Sequence, residues 1–540
     1  CRAPVTDPAA VAAALDAPLA DERRSTTIAI HLPGRATPAD TARYAARFPG
    51  TGSTELGATG LRVGRLGFGS YRTHDRSPGH REALQRALRS GVNLIDTATT
   101  YIDGASERLV GSSLRQLIDD GDIAREEVIV VSKIGPVQGS SYKLALEREE
   151  HAAPFPEMVK YEEGLWHCMH PEFLEDQLQR SLDRLELETL DFCLLHNPEY
   201  LLADAARREE PLEKSRDELY RRLQEAFAYL ESQVSAGRLA SYGVSTNTVA
   251  TPSDDDEAIS LTRMLAAARR VAGTEHHFRI LQIPLNLLES DAVFVRQEDD
   301  GADRTVLEIA QAEGIALLAN RPLNAFVGGA LIRLTEVAVE DEQTEIEFEQ
   351  QLARVADLEL AFRAEIAPQL KTAPDSLDPG EYFRMAERLA QVQDALIGLA
   401  HWSEVETQIL YTVQTVVAAL DRGLNGEVAA RWSDWRDVYL PELDELIREL
   451  RRQAAQRSQD RTAALNAAID PLLPEDRRSA SLSRKALWTV ASTPGVTAVL
   501  NGMRSVDYVD DSLAVLDWPA LDSAASVYHV VRNMAERSGL

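Results

Sequence analysis

From residue 65 onward, short apolar runs alternate with longer stretches whose apolar residues recur every three or four positions. The runs Arg65–Gly69, Asn93–Asp96, Val128–Lys133, Leu190–His196, Tyr242–Thr246, Ile280–Leu285 and Ala316–Asn320 predict strands. Between them, His80–Ser90, Ser106–Asp119, Pro171–Leu185 and Arg216–Ala236 predict amphipathic helices. An eighth run, Thr497–Asn501, comes only much later and follows a predicted final helix at Leu482–Ser492. Eight short strands alternating with helices predict an α/β fold, a (β/α)8 TIM barrel rather than a doubly wound sheet.

The delay before the eighth strand is filled by helical patterns over residues 331–480. Phe348, Leu352, Val355 and Phe362 share one face. Leu389, Val392, Leu396 and Leu399 share another, continuing to Ile409, Val413 and Leu420. Leu440, Leu443, Ile447 and Leu450 form a third. These patterns predict an antiparallel helical insertion broken at TAPDSLDPGEY and IDPLLPED. Residues 1–50 read as an extended N-terminal arm with one short helix near Thr41–Phe48, and LGATGLRVGRLGFGS as a small hairpin turning at Gly57 and Gly60. The expected domains are therefore the arm 1–50, a discontinuous barrel of 51–330 with 481–540, and the helical insertion 331–480.

Composition narrows the class. The 540 residues allow one to three domains, and the hydrophobic fraction of 44% is that of a globular protein. No apolar run reaches the ~18–20 residues of a membrane helix, and no signal-peptide pattern opens the chain. It begins with Cys1, which leaves the native start open and admits a lipid-modified cysteine. Three cysteines, Cys1, Cys168 and Cys193, argue against a disulfide framework and fit a reducing, cytoplasmic location. A net charge of −29 argues against nucleic acid and anionic membranes as partners. The scarcity of Lys against Arg fits either a high-salt cytoplasm or GC-rich codons.

Four polar residues fall at or just beyond strand ends: Asp96 in NLIDTATTY, Tyr101, Lys133 in VIVVSKIG and His196 in DFCLLHNPE. Singly, each has an ordinary explanation. Asp96 caps a turn, Lys133 is solvated, His196 ties down a loop, and Tyr101 packs. Together, at the rim where such barrels carry their active sites, they suggest one polar site. A phenol beside an ammonium can donate a proton to a carbonyl, because a free phenol near pKa ~10 is favoured as phenolate by a close positive charge.

These segments resemble the aldo-keto reductase family. The matching pieces, in family order, are GLRVGRLGFGSYR, GVNLIDTATTYIDGASERLVGSSL, VIVVSKIG, SLDRLELETLDFCLLHNPE, YGVSTN, LQIPLN and PGVTAVLNGMRS, a little over half the chain. The resemblance implies an NADP(H)-dependent oxidoreductase, with NAD as the alternative cofactor. It would move hydride reversibly between nicotinamide and an aldehyde or ketone, or the corresponding alcohol, on a small substrate, sugar-like ones included. It assigns Tyr101 as general acid/base, Lys133 as its tuner, Asp96 as the partner of Lys133, and His196 to orient the carbonyl. It places Ser245, Asn247 and Gln282 at the nicotinamide carboxamide. Gly502, Met503, Arg504 and Ser505 fall at the adenosine phosphate, and Asp511 near the adenine. Tyr71 and Trp166 are candidates for the substrate pocket. The chain departs from the family at Ala319-Asn320-Arg321-Pro322-Leu323, where an aromatic usually stacks on the nicotinamide; Arg321 is a candidate for that role or for the diphosphate.

The helical insertion roots after strand seven, on the side of the candidate site, which makes it a candidate lid or a surface for self-association or a partner. The stretch Pro136–His170 extends the loop after strand three, but His167, Cys168 and His170 without a partner motif do not make a metal site. Two other readings remain: a cofactor-sensing or protein-binding barrel with little turnover, and a lyase using Lys133 as a Schiff-base amine.

Overall fold

A computed structural model describes residues 31–299, 302–337, 347–370 and 379–538. Eight parallel strands close a barrel: β1 (Leu66–Gly69), β2 (Leu94–Asp96), β3 (Ile129–Ile134), β4 (Leu190–His196), β5 (Leu239–Ser245), β6 (Phe278–Pro284), β7 (Ala316–Asn320) and β8 (Ala498–Gly502). Each strand pairs with its neighbours in chain order, and β8 closes on β1. The (β/α)8 expectation holds, with strand ends within three residues of those read from the apolar runs.

Side chains on a strand alternate between faces, so every second residue points into the barrel. Leu94, Ile129, Val131, Phe192, Leu194, Ile280, Ala316, Leu318, Ala498 and Leu500 form one buried cluster. Two residues further along the same strands stand Asp96, Lys133, His196, Gln282, Asn320 and Gly502. The period that fills the core with apolar side chains therefore delivers a ring of mostly polar ones where it ends. The register aligns that ring: His196 is level with Ser245, Ser245 with Gln282, and Asp96 with Gly69.

The opposite end is sealed by the predicted hairpin, Thr54–Glu55 with Arg62–Val63. Leu56, Leu61 and Val63 join the barrel core. The short arm helix runs Pro38–Arg47, capped by the Thr37 side chain. Asp191 ties the preceding segment down, accepting hydrogen bonds from the Ala36 amide (2.7 Å), the Val130 amide (2.8 Å) and the Arg125 guanidinium (2.8 Å).

The stretch Pro136–His170, read from sequence as a long loop, contains the helix Gly139–Glu150 and a three-stranded antiparallel sheet of Pro136–Val137, Val159–Glu162 and Leu165–His167. Strands of two to four residues carry too few positions for a periodicity to register.

Residues Phe326–Ala468 form a separate compact unit. It contains helices Phe348–Glu365, Met385–Asp394 and Leu399–Gly423, and nearly all of Gly426–Ile469, around a core including Phe362, Phe383, Trp432, Trp435 and Tyr439. Glu359, inside this core, accepts from the Met385 amide (2.7 Å) and the Tyr439 hydroxyl (2.9 Å). The face drawn through Leu389 and Leu420 is not one helix. It breaks between Asp394 and Leu399, where Gly398 is extended. Groups distant in sequence satisfy the exposed backbone: Ser458 Oγ accepts from the Leu399 amide (2.9 Å), and Arg461 donates to the Ile397 carbonyl (2.5 Å). The break expected at TAPDSLDPGEY lies largely outside the described residues. No helix among the described residues is long and apolar enough to cross a membrane.

Candidate active site

At the C-terminal mouth of the barrel, Lys133 is fully buried at the end of β3. Its Nζ lies 2.7 Å from Asp96 Oδ1, 2.8 Å from the Thr97 carbonyl and 3.1 Å from the Tyr101 hydroxyl. The ammonium thus has three acceptors, and the salt bridge is closed from water. Tyr101 reaches this point from a turn that leaves β2. The next residues, Ile102 and Asp103, hold φ of 48° and 50°. A β-branched residue is rarely found there, so the turn stores strain beside the phenol. Positive φ also follows His196, at Asn197 (56°), and Asn320, at Arg321 (54°).

The electrostatics depart from the sequence expectation. Burial first, then the Asp96 carboxylate and the neighbouring Tyr71 phenol, push the Tyr101 phenol well above its ordinary 10.0. The Lys133 charge, expected to lower it, is balanced by Asp96. Burial pulls the Lys133 ammonium below 10.5, and Asp96 opposes that fall. The phenol is consequently held as an acid.

His196 stands across from Tyr101, with ring centroids 6.3 Å apart. Burial, Lys133 and His167 push its imidazole well below 6.5, so it is neutral. Its Nδ1 is buried without a hydrogen-bond partner. The His196 backbone is set by His167, whose Nε2 lies 2.8 Å from the His196 carbonyl and donates to it. Gly135 is needed here, because a Cβ on it would stand 2.2 Å from that same carbonyl oxygen.

His167 itself is 1% exposed, and its Nδ1, if protonated, would have no acceptor nearby to donate to. Burial pushes its pKa from 6.5 down to about 4. The unfolded chain binds the proton more readily, so stability is full above pH 6.5 and falls as pH drops towards 4. His167→Gln keeps an N–H for the carbonyl and cannot titrate. Urea unfolding should therefore show the wild type losing stability relative to His167→Gln by roughly 1.4 kcal/mol per pH unit across that window. Parallel curves would remove His167 from the acid limb.

A second network meets the first at Asp96. Gln282, on β6, donates from Nε2 to Asp96 Oδ1 across the mouth (2.7 Å). Its Oε1 accepts from Ser245 Oγ (3.2 Å) and from Asn320 Nδ2 (3.1 Å). Asn320 Oδ1 is buried and unpartnered. Thr246 is 1% exposed and its hydroxyl accepts from the Thr248 amide, whereas Asn247 is partly exposed. Asn247 is gripped by Glu199, whose Oε1 accepts from both its backbone amide (2.9 Å) and Nδ2 (3.1 Å). Sequence reasoning passed over Glu199 and Thr97; Glu199 lies only three positions beyond His196.

The remaining candidates are dispersed. Arg321 pairs with Glu289 (2.9 Å), which engages its charge within the loop. On the segment after β8, Gly502 is exposed, with no atom within 4 Å of where a Cβ would stand. Arg504 is also exposed, and Ser505 caps the helix Val506–Leu513. Met503 is fully buried, so its side chain packs in the core. Asp511 is held by Arg484 at 2.7 Å. Tyr71 is 42% exposed with its ring edge-on to Tyr101 at 5.1 Å. Trp166, in contrast, is 6% exposed, with the Tyr142 ring at 4.9 Å and the Lys160 ammonium over its face at 4.4 Å. It packs within the small antiparallel sheet.

The fold and its polar mouth define a parallel barrel with a lysine-centred acid site. Residues 65–331 match the sequence model of the aldo/keto reductase family and form an aldo/keto reductase domain. Among similar proteins, the NADH-specific methylglyoxal reductase of Escherichia coli is 29% identical over 153 residues, covering 26% of this chain and 40% of that protein. Mouse aldo-keto reductase family 1 member A1 is 28% identical over 202 residues, covering 36% and 50%. The NAD(P)H-dependent D-xylose reductase of Scheffersomyces stipitis is 26% identical over 141 residues, covering 26% and 33%. The chain thus spans a third to a half of the length of these relatives. The solved glycerol dehydrogenase of Gluconobacter oxydans superposes with a TM-score of 0.44 at 15% identity, over 90% of this chain and 96% of that one.

Proposed function

We propose that the chain is an NADP(H)-dependent oxidoreductase that interconverts small aldehydes or ketones and their alcohols. The observation that carries this reading is Lys133 Nζ seated between Asp96 Oδ1 and the Tyr101 hydroxyl, at 2.7 and 3.1 Å. Two relatives bear names that state reduction with a nicotinamide cofactor, of methylglyoxal and of D-xylose.

The residues present suit such a cofactor. A buried acceptor, Asn320 Oδ1, lacks a donor, and the exposed backbone at Gly502 has open space beside it. Ser245, Asn247 and Gln282 would lie at the carboxamide, and Gly502, Arg504 and Ser505 at the adenosine phosphate. Arg504, exposed and cationic, would favour a 2′-phosphate. When bound, the nicotinamide supplies or accepts the hydride.

The chain's own residues handle the oxygen and its proton. Tyr101, kept protonated, donates its hydroxyl proton to the carbonyl oxygen as negative charge develops there. Lys133 then meets the new phenolate 3.1 Å away, and its ammonium stabilises it. His196, neutral, donates a hydrogen bond to the same oxygen and fixes its position. Tyr71 forms an aromatic side wall beside Tyr101.

Fluorescence titration with NADPH, followed by absorbance assays on a carbonyl and alcohol panel, tests the reading. Saturable binding and carbonyl-dependent NADPH loss are expected. Binding without turnover across the panel would instead favour a cofactor-sensing barrel, and borohydride trapping of a substrate on Lys133 would indicate a lyase.

A further inference from the structure

Asn320 stands where the family resemblance calls for an aromatic surface, and its surroundings assign it a different task. An ionised carboxylate only accepts hydrogen bonds. Asp96 therefore requires Gln282 to present its Nε2, which sits 2.7 Å away. That turns Gln282 Oε1 towards Ser245 and Asn320 as an acceptor, at 3.2 and 3.1 Å. Asn320 must in turn present Nδ2 to it. The direction of every amide in this chain is thus dictated from Asp96 outward, and the last atom, Asn320 Oδ1, is left as an acceptor. It is buried and has no partner. A buried acceptor without a donor is costly, and native structures keep few of them.

The inward position of β7, two residues beyond the core residue Leu318, puts Asn320 in the same ring as Asp96, Lys133, His196 and Gln282. A group bound at the barrel mouth is placed to supply the donor that Oδ1 lacks. We infer that Asn320 is a cofactor-orienting residue whose Oδ1 accepts a hydrogen bond from the amide N–H2 of the nicotinamide carboxamide. This rests on the cofactor reading above and deepens it. Ser245 and Gln282 spend hydrogen-bonding capacity on one another and on Asp96, so the acceptor presented to a ligand lies one strand further on than the sequence resemblance indicates. The same chain joins the carboxamide to Asp96, the partner of the Lys133 ammonium.

Isothermal titration calorimetry with two ligands separates this role from packing. One is NADPH; the other is its reduced 3-acetylpyridine analogue, which replaces the amide N–H2 with a methyl group. The wild type should bind NADPH roughly three- to tenfold more tightly than the analogue. Asn320→Leu, similar in size and apolar, should bring the two affinities to within a factor of two, mainly by weakening NADPH. Circular dichroism and the melting transition check that the variant folds. Should it not fold, the wild-type comparison still decides, because equal affinities for the two ligands overturn the assignment. A wild-type preference that survives Asn320→Leu overturns it as well. Failure of the wild type to bind NADPH at all would remove the cofactor reading and this assignment together, whereas the first two results would leave the cofactor reading standing.

Discussion

Tyr101→Phe is expected to lower carbonyl reduction by ~10²–10⁴-fold, the usual contribution of a positioned proton donor. The substitution removes one oxygen and keeps the ring, so the edge contact with Tyr71 at 5.1 Å is preserved. NADPH affinity should change less than twofold, because the lost hydroxyl's assigned partners are Lys133 and the substrate oxygen. The pH dependence carries a second signature. Burial and the Asp96 charge hold the phenol well above 10.0. Reduction, which uses the protonated phenol, should be flat from pH 6 to 9 as far as this group is concerned. Alcohol oxidation, which uses the phenolate, should climb with pH and not level off below pH 10. Stopped-flow absorbance at 340 nm reads both directions. If reduction exists and survives in Tyr101→Phe, the proton comes from elsewhere, and a plateau in oxidation near pH 7 would contradict the raised phenol.

Asp96→Leu should cost about 3–5 kcal/mol of folding stability, the range found when one partner of a buried ion pair is removed. Lys133 is fully buried and Asp96 is 4% exposed, so neither charge has water to fall back on. Without Asp96, burial acts on the ammonium with only the more distant Glu107 charge opposing it, and Gln282 Nε2 also loses its acceptor. Lys133→Met alone should cost less, because Gln282 still donates to Asp96. The double variant, Asp96→Leu with Lys133→Met, should recover much of the stability lost in Asp96→Leu while remaining inactive. Urea unfolding of the four proteins forms a double-mutant cycle. Additive losses would mean that the two groups are not coupled, and a cost below 1 kcal/mol for Asp96→Leu would mean that the pair is solvated.

The barrel was legible because its strands are short apolar runs with an internal period of two, and that signal is local. The same period explains why Asp96, Lys133 and His196 could be picked out: each is the first polar residue after an inward-facing apolar series. The hairpin was readable from its turn glycines, whereas the arm helix, expected near Thr41–Phe48, starts a turn earlier at its Thr37 cap. The split between Asp394 and Leu399 was not, because its backbone is satisfied by Ser458 and Arg461 from another helix.

Within the site, the limits were of the same kind. Residue types at strand ends suggested an acid, a base and an orienting imidazole, and the fold brings Asp96, Tyr101, Lys133 and His196 to one mouth. Burial of the phenol, and then the Asp96 charge that stands 2.7 Å from Lys133, reverse the expected direction of the phenol's pKa. Arg321, Asp511 and Trp166 have protein neighbours that the sequence did not indicate: Glu289, Arg484 and the Tyr142–Lys160 pair. Glu199 and the Gln282–Asp96 bond carried no sequence signal, since each joins residues from different strands or loops.

The amino-acid sequence by itself determined the barrel, the helical character of the long insertion, and which polar side chains reach the mouth, because strand period and helix period are properties of neighbours in the chain. Only the tertiary structure decided how those side chains are partnered, which of them are neutral, and that Asn320 is left holding an unpaired acceptor. Hydrogen-bond direction and desolvation depend on what stands across the barrel, and that is set by closure of the sheet.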